Sequence, residues 1–500
     1  MKLAKPFSSI GIRNIALSIT IVAACSYSQL PLAMLQQAKQ PPEPFSAKTL
    51  AELRRIHQAG LESEYGYRVL AHLSDNIGPR LSGSPQADRA VEYVAEEMRR
   101  LGMEVQLEKL LVPHWVRGEE TAELVEYPGQ IPNTTQRIVL TALGASSATT
   151  QEGLTAELIV VSSLEQLQAL GTEKVKGRIV LFNVPFDKQM ASQGAGIEAY
   201  SQAAIYRRTG PSAAAGLGAV AVLIRSVGGA DYRLPHTGLT FYAEGSRKIP
   251  AAAVAAEDAD LIARLSSQGK LRLHLKLTPE TLPDVVSYNV IGDLKGSEHP
   301  EQIVIVSGHL DSWDLGTGAL DDAAGVVMAL ETVQLLRQLK LQPKRTIRVI
   351  AWMNEENGQV GAKTYAKNHV ADIENHFAAI ESDHGAGHPL GFDVTGDPAI
   401  LPLLSQVSSL LQSSGAGLMR ITECRVIDIV PLANAGVPAF GLWQDTRTYF
   451  NYHHTAADTL DKVDPRELRE NSAAVAVLAY ALASLPGQLP RTTSATPAKL

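Results

Sequence analysis

Four strand-like runs after Pro283 end in ionisable side chains, and this feature restricts the fold of the chain most tightly. Residues 303–307 run into Gly308-His309-Leu310-Asp311, and 346–353 into Asn354-Glu355-Glu356. Residues 377–381 run into Ser382-Asp383-His384. Residues 437–443 are followed by Asp445 and then by Tyr452-His453-His454. A fifth apolar run, 289–294, precedes them, and helix-like stretches separate several of the five. Within 322–339, Val326, Val327, Leu330, Val333, Leu336 and Leu339 form an apolar stripe. Residues 358–369 read as another helix, and 472–485 is apolar nearly all round, which predicts a buried one. Near-continuous apolar strands alternating with helices predict an α/β fold. Its centre is a mixed, mostly parallel sheet with helices on both faces. Ligands of such sheets bind at the carboxyl ends of strands, so all four ionisable endings can meet on one edge.

Imidazole and carboxylate together suit zinc and related divalent ions. Asp311, two residues past His309, is placed to hold the second ring nitrogen of that histidine. Asp321-Asp322 enters the helix after the first strand, where one carboxylate can lie between two ions. Glu355-Glu356 offers one carboxylate to a metal and one to a water molecule. Singly, each piece has a bland explanation. Glu-Glu is commonly solvated surface, and Asp-Asp at a helix start is what the macrodipole favours. Their joint placement at successive strand ends is what points to a metal site.

The string Gly308-His309-Leu310-Asp311-Ser312-Trp313-Asp314, with Gly318-Ala319-Leu320-Asp321-Asp322-Ala323-Ala324-Gly325, closely resembles the co-catalytic zinc exopeptidases. Asn354-Glu355-Glu356-Asn357-Gly358, Glu381-Ser382-Asp383, Tyr452-His453-His454-Thr455 and Ala457-Asp458-Thr459 continue the match in order. The resemblance implies two zinc ions per chain, bridged by Asp321. His309 and Asp383 would complete one site, and Glu356 and His454 the other. Glu355 would be the general base, Asp311 would orient His309, and the Asp321–Asp322 peptide would be cis. Of the adjacent histidines, the one before Thr455 is taken as the ligand. The activity implied is hydrolysis of small peptides, as an aminopeptidase or dipeptidase. The alternatives are carboxypeptidase specificity, a single-zinc glutaminyl cyclase, another amide hydrolase, or a receptor-like protein without catalysis. The retained ligand set argues against the cyclase and the receptor.

The remainder of the chain sets the context. Lys2, Lys5 and Arg13 precede an apolar run at 15–24, which reads as an export signal too short to span a bilayer. It ends Val22-Ala23-Ala24-Cys25, resembling a lipobox, so 1–25 is the expected signal and Cys25 a possible lipid anchor; the alternative is a cut near Ala33. The destination is the periplasm, cell envelope or exterior. The peptidase domain is expected at 45–117 and 284–486, and a disordered tail at 487–500. Residues 118–283 read as a β-rich insert with a few helices, similar to a protease-associated domain. His236 lies alone there and reads as a satisfied core or surface residue. A net charge of −7 over 500 residues, with 5% aromatics, excludes a nucleic-acid partner. Small peptides are the expected substrates, no transmembrane span is expected, and a homodimer is an allowed assembly.

Overall fold

The computed structural model describes residues 43–491. The expected export signal, Cys25 and the last nine residues lie outside the described residues. Among the described residues, no helix is long and apolar enough to cross a membrane.

The central sheet has eight strands. In spatial order they are Glu104–Val116, Glu280–Leu294, Arg345–Trp352, His299–His309, His376–Glu381, Ala439–Gln444, Pro389–Thr395 and Leu418–Ile421. Four of the seven pairings are parallel, including the three at its centre that involve His299–His309 and His376–Glu381. The antiparallel pairings bring in the long ribbon on one side and Pro389–Thr395 on the other.

Strand periodicity explains why these runs are apolar at nearly every position. Val304, Val306, Ile347 and Val349 point into a core shared with the helices Ala324–Leu339 and Pro465–Ser484. Ile303, Ile305, Ile350 and Trp352 point the other way, onto Tyr365 and Ala366 of the helix Val360–Asn368. Alternate side chains therefore meet a helical layer on each face. The helix Pro465–Ser484 starts earlier than its apolar run, because the Asp464 side chain caps it and Pro465 occupies the first turn.

The second sheet also has eight strands, all drawn from residues 120–277. It carries a 21-residue helix, Gly196–Gly216, that sequence periodicity did not reveal. Trp115 and Trp313 pack into the core of this sheet with Leu81. Arg117 pairs with Asp314, donating from Nε to Oδ2 at 2.8 Å. At the carboxyl end, order persists past Pro486: Arg345 donates to the Gly487 carbonyl at 2.6 Å, Leu489 is buried, and Arg491 donates to the His376 carbonyl. Residues 487–491 of the expected tail are thus packed back on the domain: the buried Arg345 guanidinium holds the Gly487 carbonyl, and Arg491 bonds back to the His376 carbonyl.

Candidate metal centre

Sheet register assembles the centre. His309 pairs with Trp352 in the parallel neighbour, so the turn carrying Glu355 and Glu356 emerges beside it. Ser307 pairs with Glu381 on the other side, which puts Asp383 next to the same imidazole. Gly308 allows the helix entry to close in: a Cβ there would lie 2.6 Å from Asp322 Oδ2 and from backbone of Gly325. The Asp322 carboxylate accepts from the His309 and Gly325 amides at 3.1 and 2.9 Å. The Asp321–Asp322 peptide is cis.

Asp321 is the hinge of the arrangement. Its Oδ1 lies 3.1 Å from His309 Nε2, and its Oδ2 lies 3.2 Å from His454 Nε2. Asp383 Oδ1 is 3.3 Å from His309 Nε2, and Glu356 Oε2 is 2.9 Å from His454 Nε2. Two donor groups result, each with its donor atoms within 4.8 Å of one another: His309, Asp321 and Asp383; and Asp321, Glu356 and His454. Asp458 holds Asp321 from behind by accepting the Leu320 and Asp321 amides at 2.7 and 3.2 Å. Arg80, wholly buried, braces the approach to this turn by donating to the carbonyls of Leu310, Thr317 and Gly318.

The proton inventory shows that the residues fit a bound cation. His309 Nδ1 lies 2.9 Å from the Asp311 carbonyl, which can only accept, so Nδ1 carries the proton. In the neutral ring Nε2 then aims a bare lone pair at two carboxylate oxygens. Either a cation stands between them or the ring is charged. Without a metal, charging wins: burial pulls His309 down, but bonds from Asp321 and Asp383 outweigh it and hold the imidazole well above its ordinary pKa. Burial likewise pushes the Asp321 carboxyl up, yet His453, His309 and His454 around it hold it well below the usual range. Asp321 Oδ2 and Glu356 Oε1 are buried without a hydrogen-bond partner. Paired nitrogen and oxygen donors with orphaned oxygens are what divalent zinc takes.

Glu355 stands at the mouth of this cluster and lines a cavity of about 340 Å³. Burial, opposed by His309 and reinforced by Asp383, Asp311 and Asp321, pushes its carboxyl up to about 8.

All seven residues expected at the site are brought together, but Asp311 does so differently. Its backbone carbonyl, not its carboxylate, holds His309. The Asp311 carboxylate instead accepts the Asn354 and Glu355 amides at 2.7 and 3.0 Å, fixing the turn that carries the two glutamates. The strand ends at His309, so strand alternation no longer fixes which way the Asp311 side chain points. Asp445 lies outside the centre, paired with Arg447. His236, read from the sequence as a satisfied core or surface residue, is fully buried, with Nε2 3.1 Å from His453 Nδ1, a contact with the centre that the sequence did not reveal. Sequence reasoning also missed Arg207, which donates to the Thr237 carbonyl at 3.0 Å. No local spacing reveals either, because the contacts of His236 with His453 and of Arg207 with His454 Nδ1, at 3.5 Å, span more than 200 residues.

A family model described as peptidase family M28 matches residues 289–479. Carboxypeptidase Q of Homo sapiens is 38% identical over 434 residues, covering 86% of this chain and 88% of that relative. Among solved structures, a peptidase M28 precursor from Shewanella amazonensis has a TM-score of 0.83 at 36% identity, covering 88% of this chain and 98% of its own. A zinc aminopeptidase from Bacillus subtilis shares the fold, with a TM-score of 0.59 at 22% identity, covering 83% and 94% of the two chains. The chain belongs to peptidase family M28 and is a metallo-exopeptidase.

Proposed function

We propose that this chain is an exported dinuclear zinc exopeptidase that acts at the free amino end of small peptides, as an aminopeptidase or dipeptidase. The observation that carries the reading is the Asp321 carboxylate, whose two oxygens face two separate histidine–carboxylate groups. His309, Asp321 and Asp383 would hold one ion, and Asp321, Glu356 and His454 the other. Zinc, when bound there, supplies Lewis acidity that polarises the scissile carbonyl and acidifies water. Glu355 takes the proton of the attacking water and returns it to the leaving amine. Asp311 keeps Glu355 in place through its amide.

Asp321, Glu355, Glu356 and Asp383 line the cavity, and carboxylate oxygens not taken up by the ions can accept from a substrate α-ammonium. Arg208 lines the same cavity, and among the described residues no carboxylate pairs with it, so it is available to a substrate carboxylate. A cavity of about 340 Å³ has room for a short peptide, with Arg208 in reach of its carboxylate. Export rests on the sequence of residues 1–25, and we read 118–283 as an insert of the protease-associated type.

A panel of free, N-acetylated and C-amidated dipeptides tests this reading. Free dipeptides are hydrolysed, acetylation abolishes turnover, and chelation removes an activity that added zinc restores. Rapid cleavage of acetylated peptides would contradict action at the amino end.

A further inference from the structure

We propose that Arg207 is a specificity-determining residue of this centre: its guanidinium receives the free carboxylate of the single residue released from the scissile bond, with Arg208 beside it at the rim. The inference rests on the amino-end reading above and assigns the opposite end of the same substrate.

The bonding of Arg207 sets it apart. Among the described residues, Arg80 and Arg345 are as deeply buried, and both are saturated. Arg80 donates through Nε, Nη1 and Nη2 to the carbonyls of Leu310, Thr317 and Gly318. Arg345 engages Gln302 Oε1 and the Leu485 and Gly487 carbonyls through the same three nitrogens. Arg207 is 3% exposed, yet it reaches one carbonyl, donating from Nη1 to Thr237 at 3.0 Å. Its Nε is sealed in without an acceptor. Nη2 meets no carbonyl or carboxylate among the described residues, and Arg207 lines the cavity that holds Glu355, which leaves Nη2 as the nitrogen open to that cavity. Tyr200 lies alongside, its ring centroid 5.5 Å from Cζ, but a phenol supplies no counter-charge. A buried guanidinium without a carboxylate is costly, so the site suits an anion that the fold itself does not provide.

Position then selects the anion. Gly238 has a φ of +133°, and a Cβ there would overlap Arg207 Nη1, so a glycine is what lets the guanidinium lie against this loop. Nη1 is 3.5 Å from His454 Nδ1, and Nε2 of the same ring faces Asp321 and Glu356. Arg207 therefore stands one imidazole width from the metal centre. When a scissile carbonyl lies at that centre, the carboxylate of a dipeptide is one residue further on, at most about 3.6 Å away, and each additional residue adds as much. The spacing matches one released residue and not a longer leaving chain. Arg208 lines the same cavity from the next position of the helix, with Leu239 and Phe241 as apolar surface nearby.

The test compares the free and C-amidated forms of one dipeptide on the same zinc-loaded preparation. The ratio of their kcat/KM values does not depend on how much of the protein is active. In the parent the free form is preferred by about 10- to 100-fold, the worth of one charge-assisted hydrogen bond. In Arg207→Met the preference falls to within a few-fold of unity. Arg207→Lys keeps the charge and most of the packing but lacks the planar fork, and it lowers the ratio at least several-fold, which decides the matter if Arg207→Met does not fold. Equal cleavage of free and amidated dipeptides by the parent would overturn the inference, as would a parental ratio in either Arg207 variant. Loss of the preference in Arg208→Ala with a parental ratio in Arg207→Lys would move the carboxylate to the rim and overturn the assignment to Arg207. Rapid cleavage of N-acetylated dipeptides would instead overturn the amino-end reading, whatever these ratios are.

Discussion

At the scale of single residues, the two adjacent glutamates are separated in role by where their oxygens point. Both line the cavity, but only Glu356 meets a ligand histidine, with Oε2 2.9 Å from His454 Nε2. Glu355→Gln keeps the shape and removes the base. It should retain the metal content of the parent while turnover falls by about 10²–10⁴-fold. Zinc analysis beside a kinetic assay checks both halves, and turnover near that of the parent would end the base assignment. His309, Asp321, Glu356, Asp383 and His454 were legible in the sequence because each follows a strand or opens a helix, so topology alone brings them close. The role of Asp311 was not legible in the same way. It depends on how the chain bends after His309, and there the backbone carbonyl takes the imidazole while the carboxylate takes two amides. The contact of His236 with the centre was not legible at all, since it spans 217 residues.

At the scale of elements, the central parallel strands were readable because both their faces are covered, which makes every position apolar. The outer ribbon was readable only at 289–294. Glu104–Val116 pairs with Glu280–Leu294 over most of its length, but its register shifts between Val112 and His114, around Pro113, which has no amide to donate. Leu111 and Val286 are paired there and exposed, so the ribbon shows no simple alternation. One cross-strand pair anchors the ribbon to the rest of the sheet. Asp293 stands opposite Arg348 and accepts from its Nε and Nη2 at 2.7 and 2.9 Å. Burial raises the Asp293 carboxyl, but Arg348 and Lys295 outweigh burial and lower its pKa overall. A depressed folded pKa means the pair stabilises the protein above the unfolded carboxylate range, near 4. That stability is lost as pH falls through the lower folded value. Asp293→Asn, which strands a largely buried guanidinium, should cost about 3–5 kcal/mol at neutral pH. The gap between parent and variant in urea midpoint should narrow from pH 6 to pH 3. A gap that stays constant over that range would contradict the ion-pair account.

At the scale of the whole molecule, the two sheets contribute unequally to one centre. The first supplies the ligands and the base from the carboxyl ends of its strands. The second, whose section showed no acid–histidine pattern in the sequence, sends His236 and the Thr237 carbonyl to the outer side of His453 and His454. Arg117 with Asp314, and Trp115 with Trp313, fasten that section beside the loop that follows His309. The strand endings and the motifs they carry marked the edge on which chemistry occurs. What closes the site over was hidden, because it depends on contacts between distant segments and not on local spacing. The central claim is that Asp321 joins two cation sites. Zinc content per chain, combined with anomalous scattering from zinc-loaded crystals, measures it directly. The account predicts two ions, one on either side of the Asp321 carboxylate, with His309 and Asp383 on the first and Glu356 and His454 on the second. One ion per chain at saturation, or two ions that leave Asp321 unbound, would contradict it.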